Sequence, residues 1–373
     1  MGIYIFTIFL ALFLWIVVNK VKFTVKGKQK LKDQNKAYVV FMGVWLFAIT
    51  VLRNYTVGAD TRTYLNIYSR SKVIGWRAVF RWADTMMIEP GYVICNKLLG
   101  YINNNPRFIL LISAAITIFL ISYHIFKYSK KPWLSFFMFI TLGMFGESLC
   151  LMRQYIAVAI IVASYIAIKD NKLLKFTVLV LLAASIHTSA IIIFPMFWIS
   201  KIKWNKIYFC MIFGVSAFLF FAVMSPEFRF YDIIIDFLAN HTSYARYFAA
   251  LDYGRRGGAV GLVLIYFSFL ILIILKLHDS ENEFRNAYIS FAVASAVLTI
   301  FSFILGISER LLPYFASMFL FSVPEAIMNE PKYRIRIQYV SAICVVLVLY
   351  YIGIVCRADS MSIIPYEFWK TVK

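Results

Sequence analysis

The chain alternates between long apolar runs and short polar breaks rich in lysine, and the runs show no period-2 alternation of apolar and polar positions. Continuous runs of this kind predict bilayer-crossing helices of about 20 residues each, not barrel strands, which would alternate. They fall at Met1 to Asn19, Ala37 to Leu52, Phe108 to Phe126, Trp133 to Leu149, Arg153 to Ile168, Leu173 to Ser200, Ile207 to Met224, Ala259 to Leu277, Ala287 to Gly306, Arg310 to Ile327 and Gln338 to Cys356. The first run has no positive n-region or small-residue cleavage site and its charges follow it. It is therefore expected to be a retained span with its N-terminus outside.

The run from Leu173 to Ser200 is long for one span and has lysines at both ends. Short cytoplasmic loops are enriched in Lys and Arg, so both ends belong on the cytoplasmic side and the chain must turn back. The polar interruption Ser185-Ile186-His187-Thr188-Ser189 marks the turn, leaving arms of about 18 Å. These arms are either a re-entrant hairpin or two short helices with His187 near the outer cavity. The expected fold is an all-α polytopic membrane bundle of about twelve spans, or ten plus the hairpin. It forms one transmembrane domain over 1–373, with extracytoplasmic loops at 53–107 and 225–258.

Composition agrees: 62% hydrophobic residues, 15% charged and a mean hydropathy of +0.78 leave too little polar surface for a soluble enzyme or a disordered chain. The net charge of +20 comes without a basic, aromatic-interleaved soluble module, so membrane orientation is its expected cause and no nucleic-acid partner is implied. Seven lysines lie in 20–36, and Lys127, Lys130, Lys131, Lys169, Lys172, Lys201, Lys203, Lys206 and Lys332 mark the later cytoplasmic turns. Both termini then fall outside. Sorted this way, the inner face holds 18 Lys and 3 Arg, the outer face 13 Arg and 4 Lys. Arg presents a rigid planar fork that grips phosphate or carboxylate, so the outer face is expected to recognise a phosphorylated or acidic ligand. Lineage bias and surface salt bridges are the plainer alternative. Cys95, Cys150, Cys210, Cys344 and Cys356 show no metal-ligand or disulfide spacing.

Candidate chemistry gathers on the outer side. Asp60 can cap a helix starting at Thr61 or act as an acid/base group, with Tyr64 and Tyr68 stacked four residues apart as a sugar-binding wall. Trp76, Phe80 and Trp82 among Arg77, Arg81 and Asp84 read as an amphipathic surface helix. Glu89-Pro90-Gly91-Tyr92 makes a turn with Glu89 at the mouth. Arg153, followed by Gln154, sits among apolar residues at the start of a run, just beyond a break marked by Gly143 and Gly146. An arginine there costs about 2.5 to 3.5 kcal/mol on insertion scales and marks a functional site by default, with snorkelling or pairing to Glu147 as the structural alternative. His187 suits proton transfer near neutral pH, although a lone buried histidine also serves as a packing hydrogen bonder. Arg310 and the Arg255-Arg256-Gly257-Gly258 stretch add further guanidiniums. No DxD, P-loop, GxGxxG, GxSxG or HExxH motif occurs.

The ordered set Gly58-x-Asp60-Thr61-x-x-Tyr64, Glu89-Pro90-Gly91-Tyr92, Met152-Arg153-Gln154-x-x-Ala157 and His187-x-Ser189-Ala190 resembles the EpsG-type branch of the Wzy polysaccharide polymerases. Arg310-x-x-x-Tyr314 and Pro365-Tyr366 extend the similarity. The resemblance implies a metal-independent GT-C glycosyltransferase in the bacterial plasma membrane, without a cofactor. It would join polyprenyl-pyrophosphate-linked repeat units of a capsule, O-antigen or exopolysaccharide at the outer face. Arg153 and Arg310 would hold the pyrophosphate, and His187 or Asp60 would deprotonate the acceptor. Its partners would be the lipid-linked donor and acceptor, the bilayer, and a chain-length regulator or flippase of the same pathway. A ligase with the same chemistry, an acyltransferase and a flippase or transporter remain open alternatives; transport is disfavoured by the lack of internal duplication.

Overall fold

The computed structural model describes residues 1–20, 28–224, 258–302, 309–355 and 361–370. Every regular element among them is helical, and the one strand-like pairing is an isolated bridge between Arg53 and Phe368. Among the described residues, five helices are long and apolar enough to cross a bilayer, or six if one bent pair is a single span, and further apolar helices are shorter. The chain divides into two compact units, Met1–Phe197 with Ser317–Lys373, and Trp198–Ala316.

In the first unit, α1 (Gly2–Lys20), α2 (Lys28–Leu52), α6 (Phe108–Tyr128) and α9 (Met152–Lys169) follow the expected apolar runs closely. Helix α9 is the core: Ala157, Ser164 and Ala167 are fully buried, and small residues of this kind let neighbouring backbones approach. Outward, α1 bares Phe6, Phe9, Phe13 and Ile16. This stripe at helical spacing suits lipid and would be costly in water.

The run from Trp133 to Leu149, expected as one span, is broken. Helices α7 (Pro132–Thr141) and α8 (Met144–Cys150) meet at 56°, with Gly143 between them in the left-handed region at φ 86°. Helix ends inside a bundle leave carbonyls that lipid cannot satisfy. At the ends of α8 and α2, buried Arg53 supplies donors, giving Nη2 to Leu149 O at 3.1 Å and Nη1 to Thr50 O at 2.5 Å. Arg107 likewise donates to Val51 O and Arg53 O, at 2.9 and 3.0 Å, and lies over the Trp369 ring.

The other long run turns back as expected. Helix α10 (Leu173–Ile186) ends at His187, whose backbone is extended at φ −150° and ψ 108°, and a 3-10 turn follows over Thr188–Ile193. Phe176, near the start of α10, meets Phe194 and Phe197 at ring-centroid distances of 6.4 and 5.4 Å. The second arm therefore runs back along the first.

The loop at 53–107 is itself helical: α3 (Thr61–Val73), a 3-10 turn at Trp76–Ala78, α4 (Val79–Thr85) and α5 (Pro90–Ile102). Val79 and Ala83 are buried while Trp76, Phe80 and Arg81 are exposed, giving the short α4 segment two faces. Residues 361–370 strap this loop to the bundle. Asn54 N donates to Glu367 O and Gly58 N to Ser362 O, both at 2.8 Å, and Tyr366 Oη donates to Ile49 O at 2.8 Å.

Lys127 and Lys175 both lie within electrostatic reach of His124, and Arg336 within reach of Lys131, so the turns that carry them share one end. Arg53, Arg107 and the tail strap lie together elsewhere.

The second unit packs the helix Gly258–Leu277 against Arg285–Phe301, which also contacts the helices Lys206–Met224 and Leu312–Ala316. Trp204 Nε1 donates to Ser290 Oγ at 3.0 Å, which donates in turn to Ile199 O at 3.0 Å.

Candidate active site

Three elements that are remote in sequence meet at the turn of α10. Gly91 makes this possible, because a Cβ there would collide with the Ser185 carbonyl. Only a bare backbone lets the start of α5 press against the end of α10. Glu89 precedes that contact by two residues and His187 follows it by two. Pro90 begins α5 and keeps Glu89 extended, at φ −63° and ψ 131°, so the carboxylate reaches across to the other helix.

Glu89 Oε1 lies 3.0 Å from His187 Nδ1 and accepts from the Thr188 backbone N–H at 3.0 Å. Its Oε2 pairs with Arg153 Nη1, from the first turn of α9. Burial alone would raise the Glu89 carboxyl, but the His187 hydrogen bond, the Arg153 charge and the Thr188 N–H outweigh it and hold the group near 2. Glu89 is therefore ionised at any physiological pH. The Arg153 guanidinium lies 5.9 Å from the Tyr64 ring centre and 5.8 Å from that of Tyr92, within the range of cation–π attraction. Burial pushes the Tyr64 phenol up to about 12, with Arg153 opposing and Asp60 adding to the rise, so both tyrosines stay neutral walls.

The side chains of Arg153 and His187 keep 20% of their surface and Glu89 keeps 13%, so the cluster is sunk but reachable. Arg153 Nε and Tyr92 Oη have no hydrogen-bond partner among the described residues. Those are polar valences of the sort a ligand or water fills.

The remaining candidates distribute as follows. Asp60 takes the N-cap position of α3, as expected, yet its side chain makes no cap hydrogen bond. It adjoins the cluster through Tyr64. Tyr68 is fully buried and donates to Asn103 O at 2.7 Å, joining α3 to the end of α5. Gln154 is buried in α9. Glu147, the anticipated structural partner of Arg153, accepts from Tyr155 Oη at 2.6 Å, while the ion pair of Arg153 is made by Glu89. Arg310 belongs to the second unit, where it is exposed. Arg255 and Arg256 lie outside the described residues. Thr188 is a contributor that residue pattern did not single out, and its one local signal is its position beside the turn-back histidine. No three His, Cys, Asp or Glu side chains converge as a metal set among the described residues.

Comparison with curated proteins and with solved structures returns no significant match. The family model described as "EpsG family" matches residues 36–368, which takes in Asp60, Glu89, Arg153, His187 and most of the tail strap. With nearly its whole length matched, the chain belongs to the EpsG family, a family of Wzy-like polysaccharide polymerases.

Proposed function

We propose that this chain polymerises polyprenyl-pyrophosphate-linked oligosaccharide repeat units at the outer face of the bacterial plasma membrane. It acts as a metal-independent glycosyltransferase of GT-C-like architecture. The observation that carries the reading is the joining of Arg153 and His187 through Glu89 in one reachable cluster. In this account the lysine-bearing turns are cytoplasmic, both termini are extracytoplasmic, and about twelve spans arise when short and broken helices are counted.

Glycosyl transfer develops positive charge on the sugar and negative charge on the departing pyrophosphate, and a fixed guanidinium stabilises the latter. Arg153, braced by Tyr64 and Tyr92, fills that role. His187 Nε2 makes no hydrogen bond among the described residues and takes the proton of the acceptor hydroxyl. Asp60 is the alternative base. Arg310, Arg255 and Arg256 are assigned as further anion-binding groups. The partners are the lipid-linked donor and acceptor in the bilayer, with a flippase or chain-length regulator of the same pathway.

Gel analysis of lipid-linked glycans after deletion of the gene tests this reading. Accumulation of single repeat units is expected. Long chains left on the carrier would make the protein a ligase, and an unchanged pattern would remove it from glycan assembly.

A further inference from the structure

A carboxylate that is acceptor-only settles what its neighbours must do. Ionised Glu89 has no proton to give, so at 3.0 Å the His187 Nδ1 must be the donor. The Thr188 N–H and hydroxyl and the Arg153 guanidinium supply the rest of its hydrogen bonds. Donors from the turn after α10 and from α9 thus converge on one side chain, which the Gly91–Ser185 contact holds in place. In water a neutral imidazole prefers its proton on Nε2; here the geometry selects the opposite form.

We infer that Glu89 is the positioning residue of the proposed base. Its carboxylate fixes His187 in the Nδ1–H tautomer, leaves Nε2 as the proton acceptor and faces the imidazolium that forms, while its second oxygen aligns Arg153. This rests on the polymerase reading above. In the step concerned, the acceptor O–H bond breaks and its proton passes to His187 Nε2. The freed oxygen bonds the anomeric carbon as the carbon–oxygen bond to pyrophosphate breaks, the electron pair leaving on pyrophosphate. The imidazolium is then flanked by one carboxylate that is itself shared with a guanidinium. One residue thus couples the base to the group that holds the leaving anion. Glu89 touches neither reacting atom, and its role is orientation and counter-charge.

The test uses the full chain in lipid nanodiscs with 15N-labelled histidine, at a pH where the imidazole is neutral. The His187 resonances are identified by their loss in His187→Gln. Wild type is expected to show a protonated Nδ1 and a bare Nε2, and Glu89→Ala to shift toward the Nε2–H form. A wild-type Nε2–H form, or an unchanged tautomer in Glu89→Ala, overturns the inference. Glu89→Gln, which keeps the shape and an acceptor oxygen, covers the case in which Glu89→Ala does not fold. It is expected to lower kcat about 10²-fold or more with acceptor KM nearly unchanged, and wild-type kcat in that variant also overturns the inference. Failure of the underlying reading has a different signature, namely full polymerisation by His187→Ala whatever the tautomer.

Discussion

The strongest thermodynamic consequence of the cluster is a stability difference that acid should erase. Glu89 is held at about 2 against an ordinary 4.5. A carboxyl whose folded value is depressed stabilises the native state fully above its unfolded value and loses that contribution as pH falls through the folded one. The shift corresponds to roughly 3 kcal/mol, and partial exposure screens it toward about 2 kcal/mol. Glu89→Gln removes the charge while keeping the shape, so titrating groups remote from the cluster are common to both proteins and cancel. The coupled His187 is kept out of the comparison by reading the change below about pH 5, where its protonation is complete. Melting midpoints of wild type and Glu89→Gln, followed in detergent from pH 7 downward, should differ by a few degrees at neutral pH. The two should converge between about pH 4.5 and 2. A gap that stays constant from pH 7 to pH 3 would refute the ion-pair and hydrogen-bond account of Glu89.

Other predictions follow from the same geometry. Arg153→Lys should lose polymerisation almost as fully as Arg153→Ala while expression stays near normal, because a point charge replaces a planar group set between two rings; recovery by Lys would mean that only charge matters. Gly91→Ala should push α5 off α10 and cost about 10²-fold in turnover through misplacement of Glu89. Gly75→Ala, where an added Cβ meets open space, is its neutral control, and equal activity of the two would sink the close-approach argument. Arg53→Leu leaves the Thr50 and Leu149 carbonyls without their donor and should cost about 1 to 3 kcal/mol for each, read as a lowered melting midpoint. Single-cysteine labelling in intact cells should leave position 28 protected and position 72 reactive; the reverse pattern would invert the topology.

Hydrophobic pattern carried most of the helical layout because lipid enforces it: a run such as Phe108 to Phe126 has no other stable use. The reversal at His187 was legible for the same reason, since lysines on both flanks of Leu173 to Ser200 forbid a single crossing. The break at Gly143 was legible in the paired glycines Gly143 and Gly146, although the apolar residues around them read as one run; the left-handed backbone of Gly143 shows where the run bends. Pairing across the bundle was less accessible. Glu147 is six positions from Arg153 and invites a local ion pair, yet Glu89 takes the role through a contact that depends on the missing Cβ of Gly91. The outer arginines divide by duty for a similar reason. Arg53 and Arg107 look in sequence like anion binders, but each spends its donors on carbonyls freed where helices end. A charge count cannot separate these duties, since both use the same planar fork.

Purified protein in liposomes, given a defined polyprenyl-pyrophosphate-linked repeat unit as both donor and acceptor, tests the central claim most directly. Wild type is predicted to produce a ladder of lengthening lipid-linked chains with release of polyprenyl pyrophosphate, and Arg153→Ala and His187→Ala to produce none above background. A ladder of wild-type intensity from both variants, or no ladder from folded wild-type protein, would contradict the account.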